Sequence, residues 1–245
     1  MTEETSQPIT NGEKEKNELS KFLDPDHPLL KDFRTKCPGT FKHSQTVASM
    51  VEGVCLALEL GVTKMKVAAY YHDIGKMFHP EYFTENQLED ENPHDKIEPY
   101  MSFLIISRHV SDTALILLQW EFPPELIRLT CQHHGTSVVR YFFDKSKTEL
   151  EDRFRYNGET PKTIESMVLM ICDHLEARSR SIMQHEKDFD PISLINKIWE
   201  GLESDRQIAD VVMKLGDVAT LKEALAKELG AMYQKRVDYK KIKED

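Results

Sequence analysis

The sequence predicts an all-α fold, a single helical bundle. Three observations lead there. Apolar residues recur at helical spacing in segment after segment, and no stretch alternates apolar and polar with the period of a strand. Proline, glycine and small polar residues stand where such segments should start and stop. No internal repeat breaks the 245 residues, a length that can bury a sizeable core in one domain.

Residues 1–20 are polar and charged and are expected to be a disordered lead-in to a domain over 21–240, with a charged tail at 241–245. "DPDHPLLKDF" reads as a turn and helix start with Asp26 as N-cap. "PGTFKHSQTVASMVEGVCLALELG" is the first long helix, with Thr40 as its cap and Gly61 as its stop. Val47, Met50, Val51, Val54 and Leu58 form its apolar stripe. Further helices are expected over 64–76, from the "NPHDK" region to His109, over 112–120, over 123–135 and over 138–147. After the polar loop "EDRFRYNGETPK" a strong helix should span 163–183, and "DPISLINKIWEGLESD" and "TLKEALAKELGAMYQKRV" supply the last two.

Composition excludes several function classes. Lys and Arg total 32 against 42 Asp and Glu, a formal charge of −10, which argues against a nucleic-acid polymer as partner. It leaves room for a small anionic substrate, because bound cations reverse a local field. Cys37, Cys55, Cys131 and Cys172 are scattered, without the paired spacing of a zinc ribbon or a disulfide framework. The apolar runs "ALILLQW" and "MVLMIC" are too short to cross a bilayer, and the N-terminus has no signal-peptide core. The expectation is a cytoplasmic protein without membrane insertion.

One set of residues carries chemistry. His43 precedes Val47, Met50 and Val54 on their stripe, and Met65, Ala69, His72 and Lys76 share a face of the next helix, with Asp73 beside His72. His109 lines up with Ser102 and Ile105 or Ile106. His133 and His134 adjoin a glycine stop, and Asp173 continues the face of Leu169 and Met170. Taken singly, each is as readily a hydrogen-bonded core residue. Together they place five imidazoles and two carboxylates toward apolar faces, where a polar group is costly unless paired or metal-bound. Two cations would satisfy the set at once. Nitrogen and oxygen donors without thiolate suit iron, manganese or other first-row ions better than structural zinc. A carboxylate bridges two ions and an imidazole does so poorly, so Asp73 is the best bridging candidate.

"HD" on a helix, with an earlier His and a later Asp, resembles the HD-domain metal-dependent phosphohydrolases. "HPLL", "PGTFKHS", "AAYYHDIGKM", "YFTENQ", "NPHDK", "LIISRHVSD", "QHHGTSVVRYFF" and "DHLEARSRS" resemble, in order, the cytoplasmic HD domain of the PgpH-type cyclic di-AMP phosphodiesterases. The likeness runs from about His27 to Tyr239. It implies a helical domain holding two divalent or mixed-valence ions, iron or manganese. It implies that His43, His72 and Asp173 hold one ion, that His109, His133 and His134 hold the other, and that Asp73 lies between. The implied reaction is hydrolysis of cyclic di-AMP to the linear 5′-phosphorylated dinucleotide pApA by a hydroxide activated between the ions. Three departures stand out. The given sequence does not include the extracytoplasmic and membrane regions that such relatives usually carry, His174 replaces a small residue after Asp173, and His79 stands where relatives often carry a basic residue.

Around this centre, Lys76 is expected to offset phosphate charge, or else to be a solvated lysine near a helix end. Arg155 could grip a phosphate or form a surface salt bridge. Tyr70, Tyr71 and Tyr156 could stack on adenine or pack in the core. His79 and Tyr156 complete the expected substrate contacts. His94 reads as part of a helix start, and His27 and His185 as surface residues. Rival functions are an HD enzyme for another nucleotide, a di-iron oxygenase, and a regulator that binds a cyclic dinucleotide without cleaving it.

Overall fold

Every residue from Ser166 to Asp173 is buried. A helix apolar on all sides has to run through the middle of a domain, and this one does. The computed structural model describes residues 18–87, 92–185 and 189–244, with side chains described up to residue 232. Its α-helices are α1 (Pro28–Lys36), α2 (Pro38–Ala57), α3 (Val62–Tyr71), α4 (Pro99–Gln119), α5 (Pro124–Cys131), α6 (Arg140–Ser146), α7 (Ile164–Gln184), α8 (Pro191–Ser204) and α9 (Leu215–Glu244). Short 3-10 turns link them, and no strand occurs among the described residues, only an isolated bridge between Val138 and Arg155.

Helix α2 packs against α3, α7 and α9. Val47, Met50, Val51 and Val54 of α2 meet Met65 and Ala69 of α3, the central run of α7, and Leu221, Leu225 and Leu229 of α9 in one core. A smaller aromatic cluster, Phe103, Phe142 and Phe154, joins α4, α6 and the 151–154 turn. Helix α7 starts with a capping box, in which the Thr163 hydroxyl accepts from Ser166 N and Ser166 Oγ accepts from Thr163 N, both at 3.2 Å.

Several boundaries differ from expectation, each for a local reason. Residues 1–17 of the expected lead-in lie outside the described residues, but Leu19 is helical and buried in the core. The tail at 241–244 continues the backbone of α9. Asp26 does not cap α1; its own amide donates to Asp24 Oδ1, and His27 occupies the N-cap position. Thr40 lies inside α2 and is buried; the amides of Gly39 and Thr40 are capped from a distance by Asn86 Oδ1, at 3.0 and 3.1 Å. The helices expected from the "NPHDK" region to His109 and over 112–120 are one, which starts at Pro99 after a 3-10 turn over Pro93–Lys96. Ser111 and Asp112 resemble a stop and restart, yet the Ser111 hydroxyl donates to Arg108 O and Asp112 accepts from Arg108 Nε within the helix. The merged α4 is long and apolar enough to cross a bilayer by length and composition, but its inner face carries His109, Asp112 and Thr113 into the fold.

The helix expected over 64–76 stops at Tyr71, and a 3-10 turn covers Ile74–Phe78. Gly75 is the cause of the fit. A Cβ there would lie 2.1 Å from His109 O and 2.5 Å from Thr113 N, so only glycine lets this backbone meet α4 directly. Thr113 Oγ1 accepts from Gly75 N and donates to His72 O, tying the turn to α4. Helix α5 likewise ends at Cys131, short of the expected Gly135.

Candidate metal centre

The seven predicted ligands come from five separate segments and meet in one place. His43 sits early in α2, and His72 and Asp73 follow the end of α3. His109 lies midway along α4, His133 and His134 in the turn after α5, and Asp173 midway along α7. All but His134 are buried, and His134 is nearly so. They form two groups, His43–His72–Asp173 and Asp73–His109–His133–His134, with the donor atoms of each group within 4.8 Å of one another.

Asp73 faces both groups. Its Oδ2 lies 3.3 Å from His72 Nε2 and 3.6 Å from His43 Nε2, while its Oδ1 lies 3.2 Å from His109 Nε2 and 3.6 Å from His133 Nε2. One carboxylate thus offers an oxygen to each side, the geometry of a bridge. Asp173 Oδ1 closes the first group at 3.0 Å from His43 Nε2.

The imidazole partners fix which nitrogen faces inward. Nδ1 of His72, His109 and His133 donates to the carbonyl three residues earlier, Ala69, Ile106 and Thr130, at 2.8, 2.6 and 2.8 Å. His43 Nδ1 donates to Glu176 Oε2 at 2.5 Å. With the proton on Nδ1, Nε2 carries a lone pair. The Nε2 atoms of His43 and His72 are 3.3 Å apart, and so are those of His109 and His133. Two lone pairs at that distance repel unless a positive charge stands between them. Asp73 Oδ1 is buried without a hydrogen-bond partner. The donor set therefore fits two cations, and a carbonyl or carboxylate behind each ligating imidazole is the usual support of a metal-bound histidine.

The electrostatics agree. Burial pushes Asp73 upward, but Lys76 and His72 outweigh it and hold the carboxyl well below the usual range. Asp173 is likewise held low by His43 and His72 against its burial. Burial lowers His133 and His134 below the ordinary histidine value, so they are neutral, the form that binds metal. In the metal-free chain His72 is raised to about 10, because Asp73 and Asp173 outweigh burial; a proton stands there in place of a cation.

Two supporting carboxylates were not anticipated. Glu176, three residues beyond Asp173 on α7, holds His43 and accepts from Arg180 Nε at 3.2 Å. Glu85 holds Lys76, whose ammonium lies 2.9 Å from Glu85 Oε1 and 2.7 Å from Asp73 Oδ2. The Glu176 signal was present in the spacing, since i and i+3 share a helical face. Nothing in the sequence says where Glu85 docks.

Of the expected substrate contacts, Lys76 and Tyr156 adjoin ligands, and Arg155 and His79 pair with other residues. Lys76 is largely covered and held between two carboxylates, which excludes a freely solvated lysine and gives it a part in holding Asp73. Arg155 forms the salt-bridge alternative, with Glu151, Asp152 and Asp205, and donates to Thr136 O. Tyr156 stacks on His134, ring centroids 4.4 Å apart and nearly parallel. Tyr70 and Tyr71 pack with the core, and the Tyr71 hydroxyl donates to Phe22 O. His79 is exposed beside Glu81 and Tyr82. His174 donates to Met170 O, with its ring 6.3 Å from His134. His94 donates to Tyr82 O and is buried against Phe142, and His27 packs between Phe22 and Trp120 rather than lying free on the surface. A cavity of about 1160 Å³ lies beside the centre, lined by Tyr100, Arg108, Arg128, Arg153, Arg155 and Tyr156. No ligand residue lines it; it shares the wall formed by Gly135 and Tyr156.

Comparison with known proteins identifies the family. The HD domain model matches residues 40–178. The chain is 35% identical over 237 residues to the cyclic-di-AMP phosphodiesterase PgpH of Bacillus subtilis, covering 92% of this chain and 33% of that protein. It is 34% identical over 229 residues to PgpH of Listeria monocytogenes, covering 90% of this chain and 31% of that protein. The chain thus spans about a third of the length of the curated relatives it matches. Among solved structures, the HD domain of L. monocytogenes PgpH superposes with a TM-score of 0.78 at 34% identity, over 85% of this chain and all of that one. The same domain in complex with cyclic di-AMP superposes with a TM-score of 0.78 at 33% identity, over 86% of this chain and all of that one. Since the HD model reaches over more than half of the sequence, the chain belongs to the HD domain family.

Proposed function

We propose that the chain is a metal-dependent phosphodiesterase that opens cyclic di-AMP to linear pApA. The observation that carries this reading is Asp73, one carboxylate whose two oxygens face two separate imidazole groups. The homologous PgpH proteins are named for this activity, and one solved relative holds this dinucleotide. When bound, a pair of divalent cations supplies Lewis-acid polarisation of a phosphoryl oxygen and a water acidic enough to act near neutral pH. His43, His72 and Asp173 would hold one ion, and His109, His133 and His134 the other, with Asp73 shared. Iron or manganese suits these nitrogen and oxygen donors.

The chain's own contribution is positional. Backbone carbonyls and Glu176 keep four imidazoles in the ligating tautomer, and Lys76 holds the shared carboxylate. In the reaction water adds to phosphorus, the bond to the 3′ oxygen breaks, and that oxygen leaves with a proton. The small substrate and the four free cysteines are consistent with work in the cytoplasm. The test is to incubate purified protein with cyclic di-AMP, loaded separately with iron and with manganese, and to separate the products. Appearance of pApA is expected. Equal or faster turnover of cyclic di-GMP or a nucleoside monophosphate would overturn the substrate, and intact hydrolysis in a His72→Ala/Asp73→Ala chain would overturn the metal mechanism.

A further inference from the structure

His134 is the exception among the ligating imidazoles. Its four companions each have Nδ1 bound to a carbonyl or carboxylate, whereas the acid nearest His134 Nδ1 is Asp173 Oδ2 at 3.9 Å. Something else has to aim this ring. One face lies against Tyr156. Its backbone belongs to a turn in which Gly135 adopts a left-handed conformation, φ +52°.

That turn is gripped from far away in the chain. Gln207 follows α8 and is 1% exposed. Its Oε1 accepts from Thr136 N at 2.9 Å, and its Nε2 donates to Thr136 Oγ1 at 3.0 Å. A Cβ at Gly135 would lie 2.3 Å from Gln207 Oε1, so the amide is seated directly on the turn. Arg155 Nη1 donates to Thr136 O at 3.0 Å. Both grips converge on Asp205, whose carboxylate accepts from Gln207 Nε2 at 3.0 Å and pairs with Arg155 Nη2 at 2.9 Å. The residue between them, Arg206, is itself left-handed at φ +57°. Every backbone polar group of Thr136 is thus held by a side chain from another segment.

We infer that Gln207, Arg155 and Asp205 form a clamp that positions His134, so that the segment after α8 controls binding at the second ion site and not at the first. This rests on the two-ion reading above. It reassigns Arg155 from phosphate contact to positioning residue, since its donors are committed to Thr136, Asp205 and Glu151.

The test is equilibrium loading with Mn²⁺, followed by electron paramagnetic resonance, which separates coupled ion pairs from single ions. Wild type should bind two ions with a coupled signal. Gln207→Ala should weaken the second ion by about 10–100-fold, the usual effect of removing an outer support, and leave a single-ion signal at unchanged first-site affinity. Arg155→Gln, at a partly exposed residue, should give the same pattern more mildly and serves if Gln207→Ala does not fold; Arg155→Lys should recover part of it. Arg128→Ala, which breaks an exposed pair with Glu159 near the same loop, should change nothing. Wild-type loading of both ions in the clamp variants, or equal loss at both sites, would overturn the clamp alone. Failure of the wild type to bind two ions would overturn the metal reading itself.

Discussion

Glu176→Gln keeps the size of the side chain and an oxygen acceptor but removes a buried negative charge. That charge faces His43 Nδ1 at 2.5 Å and Arg180 Nε at 3.2 Å. A hydrogen bond to a charged group contributes about 1.5–3 kcal/mol, against about 1 kcal/mol for a neutral one. The difference for the His43 bond is about 0.5–2 kcal/mol, or about 2–30-fold in affinity at 1.4 kcal/mol per decade. The expected result is an ion at the His43–His72–Asp173 group bound more weakly by about that factor, with the other ion unaffected. Calorimetric titration with Mn²⁺ reads both constants. Arg180→Ala is the control, since its side chain is a quarter exposed and water replaces much of what it supplies. Unchanged affinity at the first site, or a loss that falls on the second, would refute the assignment of Glu176 to His43.

Three further outcomes follow from the same contacts. Lys76→Met leaves the buried carboxylates of Asp73 and Glu85 without their shared cation, a loss of about 3–5 kcal/mol in urea unfolding; adding Glu85→Gln should recover much of it, and independent effects would refute the coupling. Gly75→Ala drives a Cβ into the backbone of α4 and should cost about 3 kcal/mol while loosening Asp73 from His109, whereas an unchanged urea midpoint would show the contact is not tight. The metal-free chain should lose stability in acid in two stages, read as unfolding midpoint against pH. His133 and His134, held below the ordinary 6.5, stabilise above that value and lose this as pH falls under it. Glu85, held at about 2 because Lys76 outweighs its burial, contributes on the order of 3 kcal/mol above its ordinary 4.5 that disappears as pH falls toward 2. On the alkaline side, His72 loses its contribution as pH rises through about 10.

The helices and the ligands were legible for one reason: both are written as period. An imidazole or carboxylate that falls on an apolar stripe is visible from spacing alone, and His43, His109 and Asp173 were read that way. The class of fold followed from the same stripes, although boundaries slipped wherever a tertiary contact ended or continued a helix. Gly75 ends α3 because α4 is there to be touched, and Ser111 fails to interrupt α4 because its hydroxyl bonds within the helix. What spacing does not encode is docking of irregular segments. Glu85, Asn86 and Gln207 reach the centre or its scaffold from turns, and each bonds a residue more than forty positions away, except for Lys76. The partners of Arg155 were hidden for the same cause, since its acids lie on loops whose meeting no local pattern announces.

The placement of ligands near helix ends explains how one small centre collects so many. His72 and His133 lie just past α3 and α5, where helical carbonyls run out of following amides. Those carbonyls, Ala69 and Thr130, take the Nδ1 protons of the two rings. The same chain ends thus supply both a ligand and the group that sets its tautomer. A helix that continued through His72 would have carried Asp73 further around the cylinder, by the 100° that separates neighbours in an α-helix. Ending the helix instead brings His72 and Asp73 into the same space, 3.3 Å apart at Nε2 and Oδ2. The turn that follows is admitted only because residue 75 has no side chain. Glycine at that position therefore belongs to the metal centre as much as the ligands do, though it contributes no donor atom.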